Sequence, residues 1–162
     1  MIKIRYCLLP YLYSEYLKAA LNEEMMFKPL SFDFPDDDMA KQVDDQLLLG
    51  NELMIAPVYK QNAKGRYVYL PEEMMAVRMK SCKNIKTEIL SKGHHYVDSE
   101  LDELVFFIRK DKAIPFGKPV KNTSQIDLSA LKFIGYEGCR YELYSDDGYS
   151  PVPEDSLKKT VL

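Results

Sequence analysis

After Gly65 the sequence breaks into short apolar or alternating runs, residues 67–70, 77–79, 86–90, 96–97 and 104–109. Turn residues separate them at intervals of about ten residues. Strands this short, returning this often, have to pair antiparallel, and the stretch is therefore predicted to form an antiparallel β-sandwich. Two more strands are expected at residues 131–136 and 141–144, ahead of an Asp146-Asp147-Gly148 turn. Residues 117–127 read as a linker or long loop, and the last dozen residues carry little pattern.

The first third has a different texture. In residues 4–21, Leu8, Leu12 and Tyr16 lie on one i, i+4 row and Leu9, Tyr13 and Leu17 on the next, which predicts a helix with a broad buried face. Pro10 should mark its true first turn or a kink, because proline lacks the N–H and clashes with the preceding turn. Phe32 and Phe34 alternate with polar residues before Pro35, so residues 31–34 are predicted as a strand. Asp36, Asp37 and Asp38 then offer cap oxygens to a helix expected over residues 39–47, with Gly50 as its stop signal. The apolar run at residues 51–58 resembles a strand covered on both faces, as in a parallel sheet. A boundary is expected near residues 59–66.

The chain has 162 residues, room for one ordinary domain or two small ones. Its formal charge is −3, and no run of Lys or Arg exceeds two residues, so the positive stripe that nucleic acid requires is missing. The start has no apolar signal region and no run of apolar residues is long enough to span a bilayer, which gives no export and no membrane partner as the expectation, hence a cytoplasmic protein. Cys7, Cys82 and Cys139 are an odd number, far apart and without a C-x-x-C pair, and are read as free thiols in a reducing compartment.

Candidate chemistry is sparse. His94 and His95 are adjacent, and on a strand they point to opposite faces, so they cannot share a metal. Helix capping explains Asp36, Asp37 and Asp38 at less cost than a carboxylate pair or calcium cage that would also include Asp33. Asp44, Asp45 and Gln46 should bond backbone or a basic group on a neighbouring element. A calcium loop around Asp146 and Asp147 would begin at Leu143, which cannot ligate, so a turn with Gly148 at positive φ is preferred. Asn122-Thr123-Ser124 fits a glycosylation sequon only by chance in an unexported chain. No phosphate loop, nucleophile elbow or zinc motif occurs. The residues alone thus yield no catalytic, substrate-binding or metal residue and call for no cofactor.

Three ordered blocks change this reading: Arg5-Tyr-Cys-Leu-Leu-Pro-Tyr-Leu-Tyr13, Lys28-Pro-Leu30 with Phe34-Pro-Asp-Asp37, and Asp45-Gln-Leu-Leu-Leu-Gly50 running into Leu53-Met-Ile-Ala-Pro-Val58. They resemble the end of the catalytic barrel of glycoside hydrolase family 31, the α-glucosidase and α-xylosidase family. Arg66-Tyr-Val-Tyr-Leu-Pro71, Phe107-Ile-Arg109 with Ala113-Ile-Pro115, and Tyr144-Ser-Asp-Asp-Gly148 look like the β-sandwich that follows it. Lys28 stands where many members carry Arg, Glu72-Glu-Met-Met75 replaces the common glycine and tryptophan, and Arg109-Lys-Asp-Lys112 lacks the usual glycine.

The resemblance implies a fold class: an α/β remnant, the last elements of a TIM-type (β/α)8 barrel, in residues 1–58, and an all-β antiparallel sandwich in 59–117. Residues 118–162 would hold a linker and the last sandwich strands or the start of a distal β domain. It also implies a retaining α-glycosidase, with a nucleophilic aspartate and an acid/base about 5 to 5.5 Å apart. Both lie on earlier barrel strands in this family, and no position here matches them. A complete barrel takes roughly 250 residues, so the expectation is a C-terminal portion, inactive alone, with exposed apolar helix faces. Its implied partners are α-glucoside or α-xyloside oligosaccharides and the missing N-terminal barrel portion. The alternative is a stand-alone carbohydrate-binding or interaction module, for which Tyr67, Tyr69, Tyr96 and Tyr141 would supply an aromatic platform.

Overall fold

The computed structural model describes residues 2–150 and 156–162. Helix α1 (Ile2–Leu21) opens the chain, followed by β1 (Phe27–Pro29), the short helix α2 (Leu30–Asp33), β2 (Leu47–Leu49) and β3 (Leu53–Ile55). Then come β4 (Gly65–Leu70), β5 (Met74–Ser81), β6 (Asn84–Leu90), β7 (Gly93–Asp98), β8 (Leu104–Arg109) and β9 (Ala113–Phe116). The last strands are β10 (Lys132–Gly135), β11 (Glu142–Ser145) and β12 (Lys158–Val161).

Six strands form one sheet in the order β1-β2-β3-β8-β5-β6, and the pairs β4–β7, β9–β10 and β11–β12 form three small sheets. Every pairing among the described residues is antiparallel. The six-stranded sheet is the middle layer because its strands alternate between two cores. In β8, Phe106 and Ile108 face one core and Phe107 the other; in β5, Val77 and Met79 face the first and Met74 and Ala76 the second. The first core also takes Ile4, Cys7, Leu8 and Tyr11 of α1 with residues of β9 and β11. The second takes Val68, Leu70 and Val97 of the β4–β7 pair with Leu30 and Ala40. Burial of each large side chain stabilises by about 1.5 to 3 kcal/mol, which fixes the register, since a one-residue slip would exchange the two cores.

The structure corrects several expectations in the first third. Residues 30–33 are helical, where a strand was predicted: Pro29, with φ at −57°, leads into the turn, and the Phe34 N–H bonds back to the Leu30 carbonyl at 3.0 Å. The helix predicted over 39–47 is a single 3-10 turn, Ala40–Gln42, because Val43 turns extended and leads into β2. Only Asp37 caps it, accepting from the Met39 and Ala40 N–H groups at 3.1 and 3.2 Å. Residues 53–55 do form a strand covered on both faces, Leu53 and Met54 entering opposite cores, but it is antiparallel to β2 and β8. An apolar run reports coverage and not direction, and the three residues between β2 and β3 are too few for a parallel crossover.

Helix α1 runs through Pro10 without ending there. Proline leaves the Tyr6 carbonyl without its helical donor, and the Cys7 carbonyl beside it accepts from the Gly117 N–H at 2.8 Å. The helix is two-faced. The buried face is turned from the predicted one: Ile4, Cys7, Leu8, Tyr11 and Leu17 are buried, while Tyr13 and Tyr16, expected on that face, are exposed together with Ile2, at 40%, 55% and 76%. Of the patternless tail, residues 158–161 pair with β11, and 151–155 lie outside the described residues.

Candidate functional site

The expected tyrosine platform is half present. Tyr67 on β4 and Tyr96 on β7 are register partners, with ring centroids 5.3 Å apart at an edge-to-face angle of 71°. Both are exposed, at 71% and 57%. Tyr69, two residues along β4, is buried with its hydroxyl donating to Asp37 at 2.7 Å, and Tyr141 is buried against α1.

The two exposed rings line a cavity of about 300 Å³ together with Asp45, Tyr59, Lys60 and Arg66. Arg66 organises it. Its guanidinium pairs with the Asp45 carboxylate at 2.5 Å and donates to the Asp45 and Pro57 carbonyls at 3.1 and 2.9 Å. Tyr59, 5.5 Å from the Arg66 guanidinium, donates its hydroxyl to Asp45 at 3.2 Å. Aromatic edges beside a carboxylate, a guanidinium and an ammonium are groups that contact a polar ligand with apolar C–H faces. One carboxylate, already paired, cannot provide both a nucleophile and an acid/base.

A second constellation escaped sequence reasoning. Glu15 of α1, 3% exposed, accepts from Tyr141 and Lys18, both at 2.7 Å. Tyr11 donates to the Leu49 carbonyl at 2.5 Å and lies 3.4 Å from Glu52, which is 9% exposed. Burial, then Glu15, pushes the Glu52 carboxyl above its ordinary value. Burial and the same two carboxylates raise both tyrosine hydroxyls. The cluster is buried, and its side chains brace α1 against the start of β11 and the β2–β3 turn. The available signal was Glu15 itself, four residues after Tyr11 on the buried row of the helix.

The remaining sequence candidates are absorbed by structure. His94 packs against Tyr69 at 5.0 Å between ring centroids, while His95 bonds the Ser91 carbonyl at 2.8 Å, so the two are not brought together. Asp33 is held by Lys28 at 2.8 Å and by Arg109 at 2.5 Å; burial opposes its ionisation, but these cations outweigh burial and lower its pKa. Asp37 bonds Lys92 at 2.6 Å as well as Tyr69, which holds its carboxyl well below the usual range. Asp45 and Gln46 bond a basic group and backbone as expected, Gln46 through the N–H and carbonyl of Tyr69, whereas Asp44, expected to do the same, is exposed to solvent. Asp146 and Asp147 are occupied by nearby backbone N–H groups, with Gly148 at φ +69°. Among the described residues, no three or more His, Cys, Asp or Glu side chains are grouped to hold a metal ion, and no helix is long and apolar enough to cross a membrane.

Comparison with known proteins places this architecture. Residues 23–114, more than half of the chain, match the family model described as the glycosyl hydrolase family 31 C-terminal domain. The chain is 29% identical over 152 residues to alpha-glucosidase 2 of Bacillus thermoamyloliquefaciens, covering 91% of this chain and 18% of that protein. It is 30% identical over 152 residues to an alpha-xylosidase of Saccharolobus solfataricus, covering 91% and 20%. The chain thus spans about a fifth of the length of these relatives. Among solved structures, a mutant of a family 31 dextranase of Flavobacterium johnsoniae, complexed with isomaltotriose, superposes over 98% of this chain and 20% of its own, with a TM-score of 0.77 and 27% identity. A family 31 alpha-xylosidase of Xanthomonas citri shares the fold over 99% of this chain and 17% of its own, with a TM-score of 0.81 and 24% identity.

Proposed function

The chain belongs to glycosyl hydrolase family 31, and from that premise we propose that it is the C-terminal portion of a retaining α-glycosidase acting on terminal α-linked glucose or xylose. Its role is to brace the catalytic barrel; it is inactive alone. The observation that carries this is the exposed row of α1: Ile2, Tyr13 and Tyr16 form an apolar stripe on a helix whose other face is already buried. A solvated helix has no use for such a stripe. In this reading α1, within the residues 1–58 expected to hold the end of the barrel, is the element left open to the remainder, while β1–β3 already share the sheet of β5, β6 and β8 and join residues 59–117 and 118–162 as β support. The natural partners are the N-terminal barrel portion and α-glucoside or α-xyloside oligosaccharides, in the cytoplasm.

The test is an assay with p-nitrophenyl α-glucoside and α-xyloside. The chain alone gives no turnover, and mixing with a separately produced N-terminal portion restores it. Turnover by the chain alone, abolished by replacing one of its own carboxylates, would overturn the proposal.

The pair Tyr67 and Tyr96 supports a second reading, a carbohydrate-binding surface on the sandwich. Titration with maltose or isomaltose, followed by NMR, separates the two: saturable shifts confined to the Tyr59, Tyr67 and Tyr96 signals favour binding, and their absence leaves the bracing role.

A further inference from the structure

We propose that Cys7 and Cys82 are a thiol–disulfide site, closing reversibly to staple helix α1 to the turn between β5 and β6. The fold brings the two sulfurs, 75 residues apart in sequence, to 2.6 Å. That is inside the contact distance of non-bonded sulfurs and roughly half an ångström from a covalent bond of about 2.05 Å. Spacing in sequence concealed the pair, since nothing local links the first helix to a distant hairpin turn.

The two thiols are differently exposed, which gives an order of events. Cys7 is fully buried in the first core, and Cys82 is partly exposed at the turn, its sulfur 3.4 Å from the Lys3 carbonyl. Burial, reinforced by Cys82, pushes the Cys7 thiol up to about 12, so Cys7 is not the first to react. Cys82 attacks a small-molecule disulfide of the oxidised-glutathione class. The S–S bond of that reagent breaks, one half leaves as thiol, and the other stays on Cys82 as a mixed disulfide. The Cys7 sulfur, already in contact, then attacks the Cys82 sulfur, loses its proton and expels the second half as thiol. Two protein thiols are oxidised by two electrons and one reagent disulfide is reduced to two thiols. Cys139 has no protein thiol beside it and bonds only the Glu137 carbonyl, at 3.9 Å, so it stays outside the exchange.

The test equilibrates the native chain in glutathione buffers from reducing to oxidising, traps free thiols with N-ethylmaleimide, and reads intact mass and peptide maps. In the oxidised buffer, two of the three thiols are lost to alkylation, the chain is lighter by two hydrogens, and the Cys7 and Cys82 peptides are linked in a monomer. Dithiothreitol restores all three, and prior unfolding in urea abolishes selective pairing. C82S leaves Cys7 reduced in the folded chain, and C139S, which touches neither sulfur, keeps the link. Persistent glutathione on Cys82, a link involving Cys139, or three alkylated thiols in the oxidised buffer would each overturn the proposal.

Discussion

The carboxylate of Glu15 fills the space that any side chain at residue 50 would need: a Cβ built on Gly50 falls 2.2 Å from Glu15 Oε2. Gly50 also has φ at +68°, in the left-handed region that favours glycine, and its N–H donates to the Met26 carbonyl at 2.8 Å. Glu15 cannot retreat, because Tyr141 and Lys18 hold it at 2.7 Å each. Gly50→Ala therefore combines backbone strain with displacement of a buried carboxylate, and should lower stability by about 2 to 4 kcal/mol. Urea unfolding measures this, and a loss below about 1 kcal/mol would show that Glu15 yields freely.

Gln46 acts as one rung of a strand. Its amide accepts from the Tyr69 N–H at 2.8 Å and donates to the Tyr69 carbonyl at 2.7 Å, both buried. Gln46→Leu keeps the volume but orphans a backbone donor and acceptor, at about 1 to 3 kcal/mol each. The expected loss is about 2 to 6 kcal/mol, with faster amide exchange at Tyr69 as the local signature. Unchanged exchange at Tyr69 would count against this role.

The pH dependence of stability has two arms of opposite sign. Glu52, raised above its ordinary 4.5 by burial and by Glu15, keeps its proton in the folded chain at a pH where the unfolded chain has released it. The native state then binds more protons, so stability falls as pH rises from 4.5 through the raised value and returns on acidification. Asp33 and Asp37 are depressed, so their contribution is present above 3.8 and lost as pH falls through their lowered values. Thermal melts should therefore show maximal stability in mildly acid buffer. Glu52→Gln should flatten the arm toward neutrality and leave the acid arm intact; an unchanged neutral arm would assign it to another group.

What the sequence disclosed follows from how far each interaction reaches along the chain. The apolar run of β8 is a local signal, and that strand appears at the residues 104–109 where it was read, whereas the strand read at 77–79 is the middle of an eight-residue β5, Met74–Ser81. The pairing direction of residues 53–55 depends on a strand some fifty residues later, and coverage on both faces leaves it open. At residues 30–33, four residues hold too little periodicity to distinguish a helical turn from a strand. The candidate site divides likewise. Tyr67 and Tyr96 were identifiable as strand tyrosines, but burial of Tyr69 and Tyr141 is decided by Asp37 and Glu15, which are 32 and 126 residues away. The contact of Cys7 with Cys82 has the same origin.

The outer row of α1 gives the last prediction. Ile2 and Tyr16 are 76% and 55% exposed, and Tyr16 stacks on Tyr13 at 6.2 Å between ring centroids. Tyr13 also donates to Asp146 at 2.8 Å, so it belongs to the fold and should be left in place. Replacing Ile2 and Tyr16 together by Lys removes exposed apolar area without opening either core, and stability should change by no more than about 0.5 kcal/mol per site. The apolar stripe, however, is the surface through which copies of the chain would associate when nothing else covers it. Sedimentation velocity over a concentration series should show self-association in the parent chain and a monomer in the double variant. A parent that stays monomeric at every concentration, or a variant that loses several kcal/mol, would mean that this row is already satisfied within the fold, and would remove the main support for α1 as the face that meets the barrel.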